Sequence, residues 1–140
     1  MARTPFQVEI LSPEGEVFND EVEMLSTRTA VGSIGVLANH QPLLALLEPA
    51  ELRLYRSESD VLTFAQGEGY LQMSGNHALV LVDEVYERDQ IDVGDLRERL
   101  RKVEERLSSA EDDSEEQRTA QREQRRFEAF IKMAEGPSGS

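Results

Sequence analysis

The chain has 140 residues, enough for one ordinary domain or for one small domain with an appendage. It has no cysteine, which removes disulfides, thiolate nucleophiles and thiolate metal sites, and no tryptophan, which leaves Val, Leu, Ile and Met to build the core. The net charge of −13 is uneven: residues 1–87 carry 4 Arg against 14 Asp and Glu, whereas 88–140 carry 11 Lys and Arg against 14 acids. So acidic a front half repels phosphate, which argues against nucleic acid and anionic lipid as partners.

Up to about Tyr86 the pattern is short and alternating. "FQVEIL" sets Phe6, Val8 and Ile10 against Gln7 and Glu9, and "ELRLYRS", "VLTFAQG", "GYLQMSG" and "HALVLVDEV" follow, each bounded by Gly, Asn or Asp. A period of two with such punctuation predicts half-buried strands. "SPEGEV" and "FNDEV" read as turns, and "SGNH" as a hairpin loop. The glycines of "VGSIGVLANHQPLL" predict a further turn, ended by Pro42. The start has no apolar run of signal-peptide length, and "LLALL" is far shorter than the roughly 20 residues of a membrane span. A soluble chain is expected, reaching a membrane only through a partner.

The period changes after "ERDQIDVGD". Leu96, Leu100, Val103 and Leu107 form one apolar seam of a helix. Asp92 or Asp95 caps it, and Asp95–Arg99 and Glu98–Lys102 flank it as i, i+4 pairs. Ser114 with Gln117 resembles a capping box opening a second helix, which carries Ala120, Phe127, Phe130, Ile131 and Ala134 on one side and stops at Gly136. The short polar linker predicts a helical hairpin. Two such thin apolar faces are marginal alone, so the hairpin packs on the strand domain or binds something else. The reading is α+β: an antiparallel β-sandwich over 1–87, a helical hairpin over 88–135 and a flexible tail over 136–140.

Chemistry is sparse. His40 and His77 lie on different turns without zinc-ligand spacing, so no metal site is expected. Ser26 and Ser33 lack a nucleophile elbow, and "GSIG" lacks the Gly-Lys-Ser/Thr of a phosphate loop; no catalytic residue is assigned. Arg97 and Arg101 on the first helix, and Arg118, Arg122 and Arg125 or Arg126 on the second, would form an anion-binding lane if they faced one another. The alternative is a solvated face threaded with Glu.

Several segments together carry a family likeness: "VEILSPEGEVFNDEVEMLS", "GSIGVLANHQPLLALLEPAELRL", "GEGYLQM", "HALVLVDEV" and "QIDVGDLRERL". Over about Phe6 to Ala134 the chain resembles the bacterial epsilon subunit of the F-type ATP synthase. The resemblance implies a non-catalytic rotor subunit in the central stalk, peripheral on the cytoplasmic face of the cell membrane. Its sandwich would bind the gamma subunit and the c-ring, with Ser33 and His40 at the c-ring. Its mobile hairpin would extend toward alpha and beta to block ATP hydrolysis, and Gly94 would serve the hinge. Many relatives carry an acid where this chain has Ser33, and Pro-Gly where it has Ala38-Asn39. Some bind regulatory ATP on the folded hairpin, for which Asp92, Arg97, Arg122 and Arg126 are the matching residues. The arginine of that motif comes late here, with Asp95 in its expected place. No other cofactor is implied. The alternative is a stand-alone nucleotide-sensing module that uses the hairpin arginines.

Overall fold

The computed structural model describes residues 3–136. The chain divides after Glu87 into two compact units. The first holds ten strands: β1 (Phe6–Ser12), β2 (Gly15–Val22), β3 (Met24–Thr29), β4 (Gly32–Val36), β5 (Leu43–Leu47), β6 (Ala50–Tyr55), β7 (Val61–Gln66), β8 (Gly69–Ser74), β9 (His77–Val82) and β10 (Val85–Glu87). They join in the order β10-β7-β6-β3-β5-β8-β9-β1-β2, with β4 hung on β3. A single residue pair, Thr29 with Leu47, links β3 to β5. The sheet folds over at this weak junction. Leu25, Leu52, Leu54 and Phe64 from one half then share a core with Phe6, Val8, Ile10, Leu71 and Val80 from the other. Each comes from the inward set of an alternating strand, so the sandwich follows from period two. Pairing is antiparallel except between β1 and β9, which run parallel.

Three strand readings need correction. "FNDEV" is no turn: β2 continues through it to Val22, and the turn is confined to Pro13–Glu14. This edge strand pairs only with β1, and its Glu16, Asp20 and Glu21 are the charges that keep an open edge from pairing further. The glycine stretch is strand β4, paired from Thr29–Gly32 to Leu25–Val36. Its turn is the two residues before it, closed where Thr29 Oγ1 donates to the Gly32 carbonyl at 2.8 Å, and Gly32 supplies a φ of 134° there. Gly35 sits mid-strand, where the Met24 side chain leaves a β-carbon only 3.1 Å. Finally, "HALVLVDEV" is two strands: β9 ends at Val82, and β10 pairs with β7 instead of β8. The "SGNH" hairpin is as predicted, with Gly75 and Asn76 both at φ 58°.

The second unit holds a short 3₁₀ turn, Arg88–Gln90, and two helices, α1 (Val93–Ser109) and α2 (Glu115–Glu135). The Asp92 carboxylate accepts from the Asp95 N–H at 3.0 Å and caps α1. Gly94, read from the sequence as a hinge, lies in the first helical turn. Ser114 Oγ accepts from the Gln117 N–H at 3.1 Å, but the Gln117 side chain returns to the Asp113 N–H, one residue before the expected cap. Asp113 is at φ 60°, which swings its N–H toward Gln117, while the Ser114 N–H is occupied by Glu111 O. Glu98 bonds Arg101, which reaches both Glu98 and Glu105 at 2.6 Å, and Lys102 acts on Glu98 through its charge. α2 ends at Gly136, which is extended (φ −81°) instead of left-handed. Pro137 follows it in sequence, and a residue before proline is pushed out of the helical region. Apart from Gly136, the predicted tail lies outside the described residues.

Candidate functional site

The outer face of β5, β8, β9 and β1 carries an apolar row where a solvated sheet face would be polar, beside Gln72, Glu9 and His77 on the same face. Register puts Leu46 opposite Tyr70, Tyr70 opposite Leu81, and Leu81 opposite Leu11. Directly opposed residues share a face, so the four form one row across four strands. Leu44 stands two residues along β5 from Leu46, and Leu79 two along β9 from Leu81. Leu44 is 70% exposed, Leu46 57%, Tyr70 50% and Leu81 43%. A contiguous apolar row on an otherwise acidic unit marks an interaction surface. Glu9 and His77, 3.4 Å apart, flank it with polar groups. The sequence reading passed over this surface, although "LLALL" carries its signal. A strand with one wet face alternates, and an unbroken apolar run puts Leu44 and Leu46 on the face where polar residues belong.

Ser33 lies near the start of β4, and His40 lies in the loop that follows its end. Ser33 is exposed beside the β3–β4 turn, opposite Arg28. His40 is half-buried in the loop after β4. Its Nδ1–H donates to the Gln41 carbonyl at 2.8 Å, and its backbone N–H donates to Leu37 O at 3.2 Å. Asn39 before it has φ 65°. Asparagine tolerates that region better than bulkier side chains do. The Asn39 N–H donates to Asn76 Oδ1 at 2.5 Å, and Asn76 Nδ2 donates back to Asn39 Oδ1 at 3.0 Å. This exchange fastens the His40 loop to the β8–β9 turn.

In the hairpin, Arg97 pairs with Glu135, and Arg106 pairs with Glu123 at 2.8 Å. The helices are therefore antiparallel, and Arg99 lies over the Phe127 ring at 4.3 Å. Arg97 belongs beside Glu135, 13 positions from Arg122. That is about 20 Å along a helix axis. Arg101 is engaged by its own helix, so the predicted lane of facing arginines does not form. Arg118, Arg122 and Arg125 instead line one shallow depression of about 550 Å³ with Gln121 and Gln124. Arg126 is buried, its guanidinium 5.5 Å from the Phe127 ring, and Asp92 is occupied as a cap. The four residues matched to an ATP site are thus not gathered.

The sequence profile described as "ATP synthase, Delta/Epsilon chain, beta-sandwich domain" matches residues 5–88. The ATP synthase epsilon chain of Sulfurihydrogenibium sp. (strain YO3AOP1) is 30% identical over 92% of this chain and 96% of its own. That of Persephonella marina is 33% identical over the same shares, 92% and 96%. Among solved structures, a chain in the Euglena gracilis mitochondrial ATP synthase superposes with a TM-score of 0.72 at 16% identity, covering 93% of this chain and 81% of that one. A chain of the Tetrahymena thermophila mitochondrial ATP synthase central stalk and c-ring gives 0.59 at 14% identity, covering 96% of each. With its sandwich matched by the profile and nearly its whole length matched by these relatives, the chain belongs to the ATP synthase delta/epsilon family.

Proposed function

We propose that this chain is a non-catalytic subunit of the central stalk of an F-type ATP synthase, coupling proton flow to ATP synthesis. The observation that carries this is the apolar row Leu46–Tyr70–Leu81–Leu11 on a chain of this family. A rotor subunit needs a fixed seat, and about 25 cal/mol per Å² of apolar area supplies one without charge pairing. In this reading the row seats the sandwich on gamma, and Ser33 and His40 meet the c-ring. The complex holds the chain peripherally on the cytoplasmic face of the membrane. No helix among the described residues is long and apolar enough to cross one. Replacing Leu46 and Tyr70 together by Glu is expected to weaken binding to the alpha–beta–gamma core complex by at least about 100-fold, since both side chains lose apolar burial and gain charge at the contact. Unchanged affinity, measured by biolayer interferometry, would remove the row as the seat.

The hairpin then acts as a mobile arm. Folded, it permits turnover; extended toward alpha and beta, it blocks hydrolysis. The feature supporting this is an antiparallel pair of helices with a thin seam, of which Leu96 and Val103 are the buried residues of α1. A nucleotide-sensing reading is favoured by one observation only, the Arg118–Arg122–Arg125 depression. Calorimetry of the full chain with ATP decides it, and no heat at millimolar nucleotide would end that reading.

A further inference from the structure

The carbonyls of the last turn of a helix have no partner within the helix. At the end of α2 two carbonyls, one in its last turn and one on the residue that follows it, are taken by a side chain from far back in the chain. Arg88 Nε–H donates to Met133 O at 3.1 Å, and Arg88 Nη2–H to Gly136 O at 2.6 Å. A guanidinium here also meets the negative end of the helix dipole, and its rigid fork reaches two acceptors at once. Arg88 is the first residue after the sandwich and opens the 3₁₀ turn that precedes α1. It thus closes the open end of the hairpin, the end where Arg97 also pairs with Glu135. Both bonds span more than 40 residues and exist only while α2 lies back along α1.

The geometry points to Arg88 as the latch that sets the balance between the folded and the extended hairpin. This deepens the reading of the hairpin as a mobile inhibitory arm and rests on it for its biological meaning. When α2 leaves α1, Arg88 loses both acceptors and α2 loses the cap on its last turn. The latch therefore favours the folded, permissive state. Anything that draws the Arg88 guanidinium away, such as a carboxylate on a partner subunit, releases the arm.

The chain has no cysteine, so one introduced thiol reports opening. Val103→Cys places it on the buried seam of α1, and Val80→Cys places a control in the sandwich core. In the full chain, Arg88→Ala is expected to raise the thiol-labelling rate at position 103 about tenfold, the scale of losing charge-assisted bonds in a half-wet setting. The rate at position 80 and the helical circular dichroism stay unchanged. Arg88→Lys, with a point charge instead of a fork, falls between. An unchanged rate at position 103 would overturn the latch. So would a parallel rise at position 80 or a loss of helical signal, because Arg88 would then hold the fold and not the hairpin. In the assembled complex Arg88→Ala should lower hydrolysis. If labelling rises and hydrolysis does not fall, the latch stands and the inhibitory-arm reading fails. If labelling is unchanged while removal of 88–140 still raises hydrolysis, the latch fails alone.

Discussion

A β-carbon on Gly69 would lie 1.8 Å from the Leu81 carbonyl oxygen and 2.8 Å from Val82 Cα. Backbone stands on the other side of that contact, so nothing flexible can give way. Gly69→Ala is expected to destabilise the sandwich by about 3 kcal/mol, read as a lower urea midpoint. Gln66 makes the opposite kind of demand. It is fully buried, accepts from Thr27 Oγ1 at 2.8 Å, and donates to Glu48 O at 2.7 Å and Gly67 O at 2.9 Å. Gln66→Leu keeps the volume but strands those partners, so a loss of about 2 kcal/mol or more is expected in the same assay. Neither residue stands out in the sequence, because a buried glutamine and a strand glycine look like ordinary polar and turn residues. Their roles depend on neighbours brought from Thr27, Glu48 and Leu81. Asp92 and Ser114 were legible because each caps a helix that starts within three residues of it.

At the scale of elements, the helices were legible and half the strands were not. A seam such as Leu96, Leu100, Val103 and Leu107 is local periodicity. Strand β2, by contrast, is an edge whose outward residues are nearly all polar, and β4 is a flap with two glycines. Pairing, not pattern, makes them strands. The caps give a direct test: Ser114→Ala should cost about 1 kcal/mol, seen as a lower thermal midpoint of the helical signal. Charge gives another. The Glu98 carboxyl is held below its ordinary value of 4.5 by hydrogen bonding to Arg101 and by that guanidinium's charge. A lowered folded pKa means its contribution is present above the unfolded value and is lost as pH falls through the folded one. Helicity should therefore decline in acid below about pH 4.5. Because the pair is exposed to solvent, the decline should shrink in high salt. Glu98→Gln should remove this share of the acid loss, and an identical acid limb would contradict it.

At the scale of the whole molecule, the two units divide the proposed work. The sandwich core draws only on residues between Phe6 and Val85, so the sandwich keeps that core without the helices. The apolar row lies wholly on this unit, and the arm lies wholly after it. Family membership was legible because the glycine-, histidine- and proline-bearing segment stands ahead of "GEGYLQM" in one continuous stretch of sequence. The docking row was not, because its members come from four strands and meet only through register. The central claim is that one unit seats the chain on the stalk while the other restrains hydrolysis. The most direct measurement compares ATP hydrolysis by the purified alpha–beta–gamma complex carrying either the full chain or a chain ending at Glu87. Both should bind with similar affinity, and hydrolysis should be several-fold faster with the shorter chain. Equal hydrolysis rates with both chains bound would contradict the account.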